Sequence, residues 1–348
     1  MYINSKNNLT EGGISVIVPV YNGEKYIKNC LDMLLNQDGE NFEVIVINDG
    51  STDNTADIVK SIRDEKLVYL EQENKGVSAA RNKGMELSRG DWIVFCDVDD
   101  EIKQGYIKDI NMRINEYPDY DVFCYAKNDV SYKFEKDFVT IDGLQALKKT
   151  LYSVTQESKP VFEGSCYFKF DCPWSKVYKK SLLLSQNLFF NIKISYGEDS
   201  LFVLHVFSYA NKIAVIYKGY YDYIQNEDSV CHSIAKESEK LGFIEWQDAI
   251  VKLIKARNDL WGDKELKKVF DSYLNNLCIY YGIYRIIYSL RSAKKSSTEI
   301  LYTIKQLAKK LYYTLEIIGG GLSKTRIKVF FAMYFPRLFE RYILKKHN

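Results

Sequence analysis

What is scarce in this 348-residue chain narrows the field first. Seven cysteines at irregular spacing form no C-x-x-C pair, which argues against a zinc site or disulfide framework and for a reducing compartment. Several sit inside apolar runs, where a free thiol behaves as a small hydrophobe. The stretch from Met1 to Gly13 is polar and has no apolar core of a signal peptide. No uninterrupted apolar run is long enough for a membrane span; His205, Asn211, Lys212 and Arg285 break the longest ones. There are no internal repeats and no low-complexity segments. What is present is the composition of a folded protein, 46% hydrophobic and 27% charged. The net charge of +2 hides an asymmetry: from Arg285 onward 14 Lys/Arg face three acids, Glu299, Glu316 and Glu340. The body before it is therefore net acidic, and the tail is basic and aromatic.

The first hundred residues alternate between two periodicities. Apolar runs at Ile14–Val20, Phe42–Asn48, Leu67–Glu71 and Trp92–Cys96 predict strands. Helical spacing at Glu24–Asn36, Thr52–Arg63 and Val77–Ser88 predicts helices, the second capped by Ser51 or Thr52. Strands alternating with helices imply an α/β fold with a doubly wound, mostly parallel, Rossmann-like sheet. Ligands bind beyond the carboxyl ends of such strands. Tyr21-Asn22, Asp49-Gly50-Ser51, Asn74 and Asp97-Val98-Asp99-Asp100 are thus expected to share one crevice. Further on, Asn128–Ile141 reads as a hairpin, Gly197–Ala210 as a helix, and the chain from Ala235 as mostly helical, interrupted at Gly319-Gly320-Gly321. This divides the chain into an α/β domain, 1–234, which holds the expected crevice, and a helical C-terminal extension, 235–348.

The strand ending in Asp97, Asp99 and Asp100 stands out, because three like charges at one strand tip repel each other. A solvated acidic turn is the plainer reading. A hard divalent cation held by these carboxylates, with substrate phosphates, is the functional one.

Ser15–Asn22, Val46–Asp53, Asn74–Asn82, Asp97-Val98-Asp99 and Glu198-Asp199 resemble, in that order, elements of family 2 glycosyltransferases, which have the GT-A fold. The resemblance spans roughly the first 230 residues and stops short of the C-terminal third. It implies an inverting transferase of envelope or capsular polysaccharide synthesis. Such an enzyme uses a UDP-sugar, Mn²⁺ or Mg²⁺, and a glycan or lipid-linked glycan acceptor.

Each matching residue has a physical reading and an ordinary alternative. Tyr21, after Pro19, offers an aromatic face to a base; a core tyrosine is the alternative. Asp49, an acceptor only when ionised, suits the uracil imide N–H; a turn or capping aspartate is the alternative. Asn74 and Gly76 form the entry to the helix carrying Arg81, which the resemblance puts near base or phosphates; a surface arginine is the alternative. The loop at Gly76 lacks both G-x-G-x-x-G and G-x-x-x-x-G-K-[ST], which argues against a dinucleotide or P-loop site. The resemblance makes Asp99 the direct metal ligand and Asp97 a contact to ribose or to a metal-bound water, with Asp100 in support.

Glu198 and Asp199 suit the positive end of a helix dipole. In this context Asp199 is the candidate general base, with Glu198 beside the acceptor. Trp174 offers a flat face for a sugar ring. Lys176 meets a phosphate or is solvated. His232, one of only three histidines, is placed to complete the metal or diphosphate site or is merely an exposed loop residue.

The segment Thr325–Lys346 mixes aromatic and aliphatic residues with Lys and Arg, the pattern of a helix on an anionic membrane surface. Packing on its own domain, or a homodimer through the helical region, is the alternative. The expected location is cytoplasmic, peripheral at the inner face of the membrane. No nucleic-acid partner is expected, because the crevice is acidic. Two rival functions remain. A sugar nucleotidyltransferase would normally show a Gly-rich basic loop after the first strand, which Pro19–Gly23 does not resemble. A non-catalytic assembly scaffold is expected to have lost the acids, and all are present.

Overall fold

The structure is a computed structural model that describes residues 2–3, 8–127, 129–155, 168–194, 197–224, 237–273, 286–287, 290–291, 294–317 and 324–347. The chain forms two compact units. The first comprises residues 1–146, 162–192 and 202–225; the second comprises 147–161, 193–201 and 226–348.

The first unit is built on a nine-stranded sheet. In chain order its strands are β1 (Tyr2–Ile3), β2 (Ile14–Val20), β3 (Phe42–Asn48), β4 (Leu67–Glu71), β5 (Trp92–Phe95), β7 (Val122–Tyr125), β8 (Phe138–Ile141), β9 (Lys176–Lys179) and β10 (Ile213–Ile216). Their spatial order is β1-β4-β3-β2-β5-β9-β7-β10-β8. Strands β4, β3, β2 and β5 run parallel, in the register Val18↔Val46 and Ile17↔Phe95. Every residue of β2 and β3 is buried, as expected of strands covered on both faces. Helices α1 (Ile27–Leu35), α2 (Thr55–Ser61) and α3 (Val77–Leu87) connect them, and α4 (Tyr106–Glu116), α5 (Gly143–Thr155) and α6 (Lys180–Ser185) follow along the chain. Helix α1 buries Ile27, Cys30, Leu31, Leu34 and Leu35, a stripe at helical spacing. A two-stranded ribbon pairs β6 (Glu101–Ile102) with β11 (Tyr221–Asp222).

Three local readings are corrected. The segment Phe138–Ile141 is not half of a hairpin; it pairs antiparallel with β10, more than seventy residues away. Helix α2 starts at Thr55, and the side chain holding its start is Asp53, which accepts from the Thr55 backbone N–H at 3.0 Å. Neither Ser51 nor Thr52 caps it, since Ser51 Oγ accepts from Asn22 N–H and the Thr52 N–H donates to Asn22. Strand β9, unforeseen, lies antiparallel between β5 and β7 and completes the sheet.

The second unit is helical in its described part: α8 (Glu237–Ala256), α9 (Lys264–Tyr273), α10 (Ser297–Ile317), α11 (Lys324–Tyr334) and α12 (Pro336–His347). Within it the Lys148 ammonium bridges Asp263 and Glu265. The Gly319–Gly321 break lies outside the described residues.

Candidate active site

The chain winds from β2 through β3 to β4 on one side of the sheet, then crosses back to place β5 on the other side of β2. The carboxyl ends of β2 and β5 are therefore the topological switch point, where open α/β sheets hold ligands. The expected residues converge there. The Cys96 N–H bonds the Ile17 carbonyl, the last β2–β5 link. Two residues further on the same edge sits Pro19, whose missing N–H costs no ladder bond because the pairing has already ended. Tyr21 follows, 52% exposed.

Asp49, at the end of β3, is buried and organises the neighbouring loop. Its Oδ1 accepts from Gln72 Nε2 at 2.7 Å and from the Lys75 N–H at 2.9 Å; its Oδ2 accepts from the Gly76 N–H at 2.7 Å. A carboxylate has about four acceptor positions, so one remains on Oδ2. Gly50 makes the loop approach possible: at φ +76°, a Cβ there would lie 2.8 Å from the Asn74 backbone nitrogen. Asn74 is exposed, and Gly76 opens α3 with φ +87°, a conformation that disfavours other residues.

Arg81 is not a surface residue. It is buried on α3 and donates to Asp97 Oδ1 at 2.8 Å, with its guanidinium 5.1 Å from the Phe190 ring centroid. Asn82 fixes Phe190 by exchanging two hydrogen bonds of 2.8 Å with its backbone. Phe190 in turn stacks on Phe202 at 3.9 Å. Asp97 is thus oriented and neutralised by Arg81, and Asp99 beside it is half-buried.

Asp100 turns inward. It is buried, accepts from the Tyr221 hydroxyl, and accepts from the Ile224 N–H at 2.9 Å. The same Tyr221 hydroxyl accepts from the Asp97 N–H at 3.1 Å. One tyrosine thereby holds both ends of the acidic loop, a role invisible in sequence because it lies 121 residues from Asp100. Burial pushes the Asp100 carboxyl up to about 7; the Tyr221 hydrogen bond opposes the rise and the Asp97 charge adds to it.

This raised value carries a sign for stability. Between its ordinary value of 3.8 and about 7, the folded state holds more protons at Asp100 than the unfolded chain does. The contribution is complete below 3.8 and is lost as pH rises through 7. In metal-free buffer, the melting temperature of the wild type is expected to fall relative to Asp100→Asn between about pH 5 and about pH 8. Parallel melting curves across that range would contradict the assignment.

Two expected ligand contacts look different in three dimensions. Trp174 is only 6% exposed, with its ring parallel to Tyr221 at 4.8 Å and to Tyr223 at 5.7 Å. It is a packing element rather than an open sugar platform; the exposed ring of the group is Tyr223, at 39%. Lys176 is buried, and its ammonium donates to the carbonyls of Lys169 at 2.6 Å, Cys172 at 2.7 Å and Trp174 at 3.4 Å. An ammonium has three donors. It ties together the loop that carries Trp174 and is neither presented to a phosphate nor solvated.

Glu198 and Asp199 form the first turn of α7 (Glu198–Tyr209), both half-buried. In the first unit, Phe202 anchors the following turn against Phe95, Tyr178 and Phe190. His232 lies outside the described residues.

Among the described residues, no three His, Cys, Asp or Glu side chains form a ready-made metal cage. The donor set nevertheless fits a hard cation of the Mg²⁺ or Mn²⁺ type, which takes one or two carboxylates and completes its shell with phosphates and water. Asp99 and Asp97 offer carboxylates of that kind.

Fold and crevice together define a GT-A protein. In overall fold the chain is similar to Staphylococcus aureus TarS 1–349, solved in complex with UDP-GlcNAc (TM-score 0.68, 22% identity, 96% of this chain and 91% of that one). Residues 15–183 match the family model described as glycosyl transferase family 2. Among curated relatives, it is 33% identical over 226 residues to glycosyltransferase GlyA of Streptococcus pneumoniae. That match covers 62% of this chain and 31% of GlyA, so the chain spans under a third of that protein. It is 26% identical over 306 residues to the GalNAc(5)-diNAcBac-PP-undecaprenol beta-1,3-glucosyltransferase of Campylobacter jejuni, covering 84% of this chain and 92% of the relative.

Proposed function

We propose that this protein is an inverting, metal-dependent glycosyltransferase of envelope polysaccharide synthesis. It moves a hexose or N-acetylhexosamine from a UDP-sugar to a glycan acceptor, one carried on a lipid at the inner face of the cell membrane. The observation that carries the reading is the grouping at the β2/β5 switch point of an exposed Tyr21, the loop-bound Asp49 and the Arg81–Asp97 pair. The UDP-GlcNAc complex of TarS and the undecaprenol-linked substrate in the Campylobacter relative's name support the donor and acceptor classes.

In this reading Tyr21 stacks on the uracil, and the remaining acceptor position of Asp49 takes the imide N–H. Arg81 holds Asp97 toward the ribose side, and Asp99 is the carboxylate for Mn²⁺ or Mg²⁺. When bound, the ion supplies positive charge for the diphosphate. Asp199 takes the proton from an acceptor hydroxyl as its oxygen bonds to the anomeric carbon. The bond from that carbon to the diphosphate oxygen breaks, and UDP leaves with the electron pair. A single displacement inverts the centre, giving a β-linkage from an α-linked donor. Glu198 orients the acceptor beside Asp199.

Tyr223 takes the role of sugar platform expected of Trp174. Tyr223→Ala is expected to raise the acceptor KM about tenfold, a stacking loss of about 1–2 kcal/mol, with UDP affinity unchanged. An unchanged acceptor KM would remove Tyr223 from the acceptor site. The function itself is tested by incubating the protein with UDP-sugars and Mn²⁺ and measuring UDP release. Turnover is expected; persistent inactivity with broad donors and acceptors would favour a scaffold.

A further inference from the structure

Helix α11 has two opposed apolar faces. Val329 and Ala332 are buried on one side. On the other, Ile327, Phe330, Phe331 and Tyr334 follow one another at i, i+3, i+4 and i+7, and Phe335 and Leu338 continue the patch into α12. These six residues are each 45–61% exposed. Their rings associate along the helix, Phe330 with Tyr334 at 4.5 Å and Phe331 with Phe335 at 5.4 Å. Isolated exposed apolar residues need no explanation, but a contiguous stripe of large ones marks an interaction surface.

Charge decides what the surface meets. Residues 324–347 hold seven Lys/Arg and a single acid, Glu340. That acid is already tied to Arg291, at 2.8 and 3.1 Å. Arg337, Arg341 and Lys345 are exposed on α12, as are Lys305 and Lys309 on α10. A groove of about 540 Å³ adjoins the stripe, lined by Tyr334, Phe335 and Leu338 together with Tyr302, Lys305 and Arg337. A second copy on a two-fold axis would set this basic cluster against itself, with no acid in residues 324–347 besides the already paired Glu340 to answer it. An anionic bilayer answers both parts: headgroups for the cations, and the acyl boundary for the stripe.

We infer that α11 and α12 dock in the plane of an anionic membrane, with the Ile327–Tyr334 stripe inserted at the acyl boundary and Lys305 and Arg337 beside the headgroups. This deepens the proposed membrane location and rests on it only for its biological setting, because vesicle binding is read without donor or acceptor. The test is co-sedimentation of the full chain with phosphatidylcholine vesicles containing about 30% phosphatidylglycerol, with pure phosphatidylcholine as the control. Binding is expected only to the anionic vesicles and is expected to weaken with salt. Phe330→Ser/Phe331→Ser is expected to lower the partition coefficient about tenfold or more, with UDP release from the donor unchanged. Arg337→Gln/Arg341→Gln/Lys345→Gln is expected to lower it by a similar factor or more. Three results would each overturn the inference: no pelleting at low salt, unaltered pelleting of both variants, or a stripe variant that changes only the sedimentation coefficient from dimer to monomer. Loss of UDP release with vesicle binding intact would instead count against the transferase reading alone.

Discussion

Asp199→Asn is expected to lower kcat by about 10²–10⁴ and leave UDP binding intact, because a general base acts in the transition state and contributes little to donor affinity. The amide is isosteric, so the α7 turn stays folded while its ability to take a proton is lost. Asp199 lies in the first turn of that helix and is half-buried, and the Phe202 turn that follows is fixed by three aromatic neighbours. The reaction demands a proton acceptor as the acceptor hydroxyl becomes a glycosidic oxygen, and the family resemblance of Glu198-Asp199 is what proposes the first-turn acids of α7 for it. The assay is donor turnover with saturating acceptor, alongside isothermal titration of UDP. A variant that turns over near the wild-type rate would remove Asp199 as base. A variant that also loses UDP affinity would indicate a structural role.

Asp99→Asn is expected to lower kcat/KM by about 10³-fold or more, since charge stabilisation by a divalent ion at a phosphoryl oxygen is worth several kcal/mol. The assignment of Asp99 within the acidic trio rests on the resemblance of Asp97-Val98-Asp99 to the corresponding family element. Asp97 is paired with Arg81, and Asp100 is turned inward to Tyr221 and Ile224. Asp99 stands between them, half-buried at the tip. The variant should bind UDP equally with Mn²⁺ or with a chelator, whereas the wild type should bind more tightly with Mn²⁺. Retained stimulation by Mn²⁺ in the variant would move the metal assignment elsewhere.

Much of this site was legible in the chain because its parts are local. Strands β2, β3 and β4 ended where their apolar runs ended, and parallel pairing then forced Tyr21, Asp49 and Asp97 to one end of the sheet. What could not be read depends on partners remote in sequence. Strand β9 is four residues long with a lysine at each end, and it is a strand only because β5 and β7 leave a gap between them. Lys176 reads as a free cation until its three carbonyl partners fold around it. Trp174 reads as a platform until Tyr221 and Tyr223, on a later segment, come to lie parallel to it. Asp100 reads as a supporting acid beside Asp97 and Asp99, yet Tyr221 and Ile224 draw it into the interior. In sequence Tyr221 is an aromatic at the end of an extended segment, indistinguishable there from Tyr217 or Tyr220.

The most direct test of the donor assignment is a thermal-shift screen of nucleotide sugars with and without Mn²⁺. Stabilisation by UDP-sugars, larger with Mn²⁺ than with a chelator, is the predicted result, because ligand binding to the native state raises the melting temperature by mass action. A shift with GDP-sugars and none with UDP-sugars would contradict the reading of Asp49 and, with it, the identity of the donor.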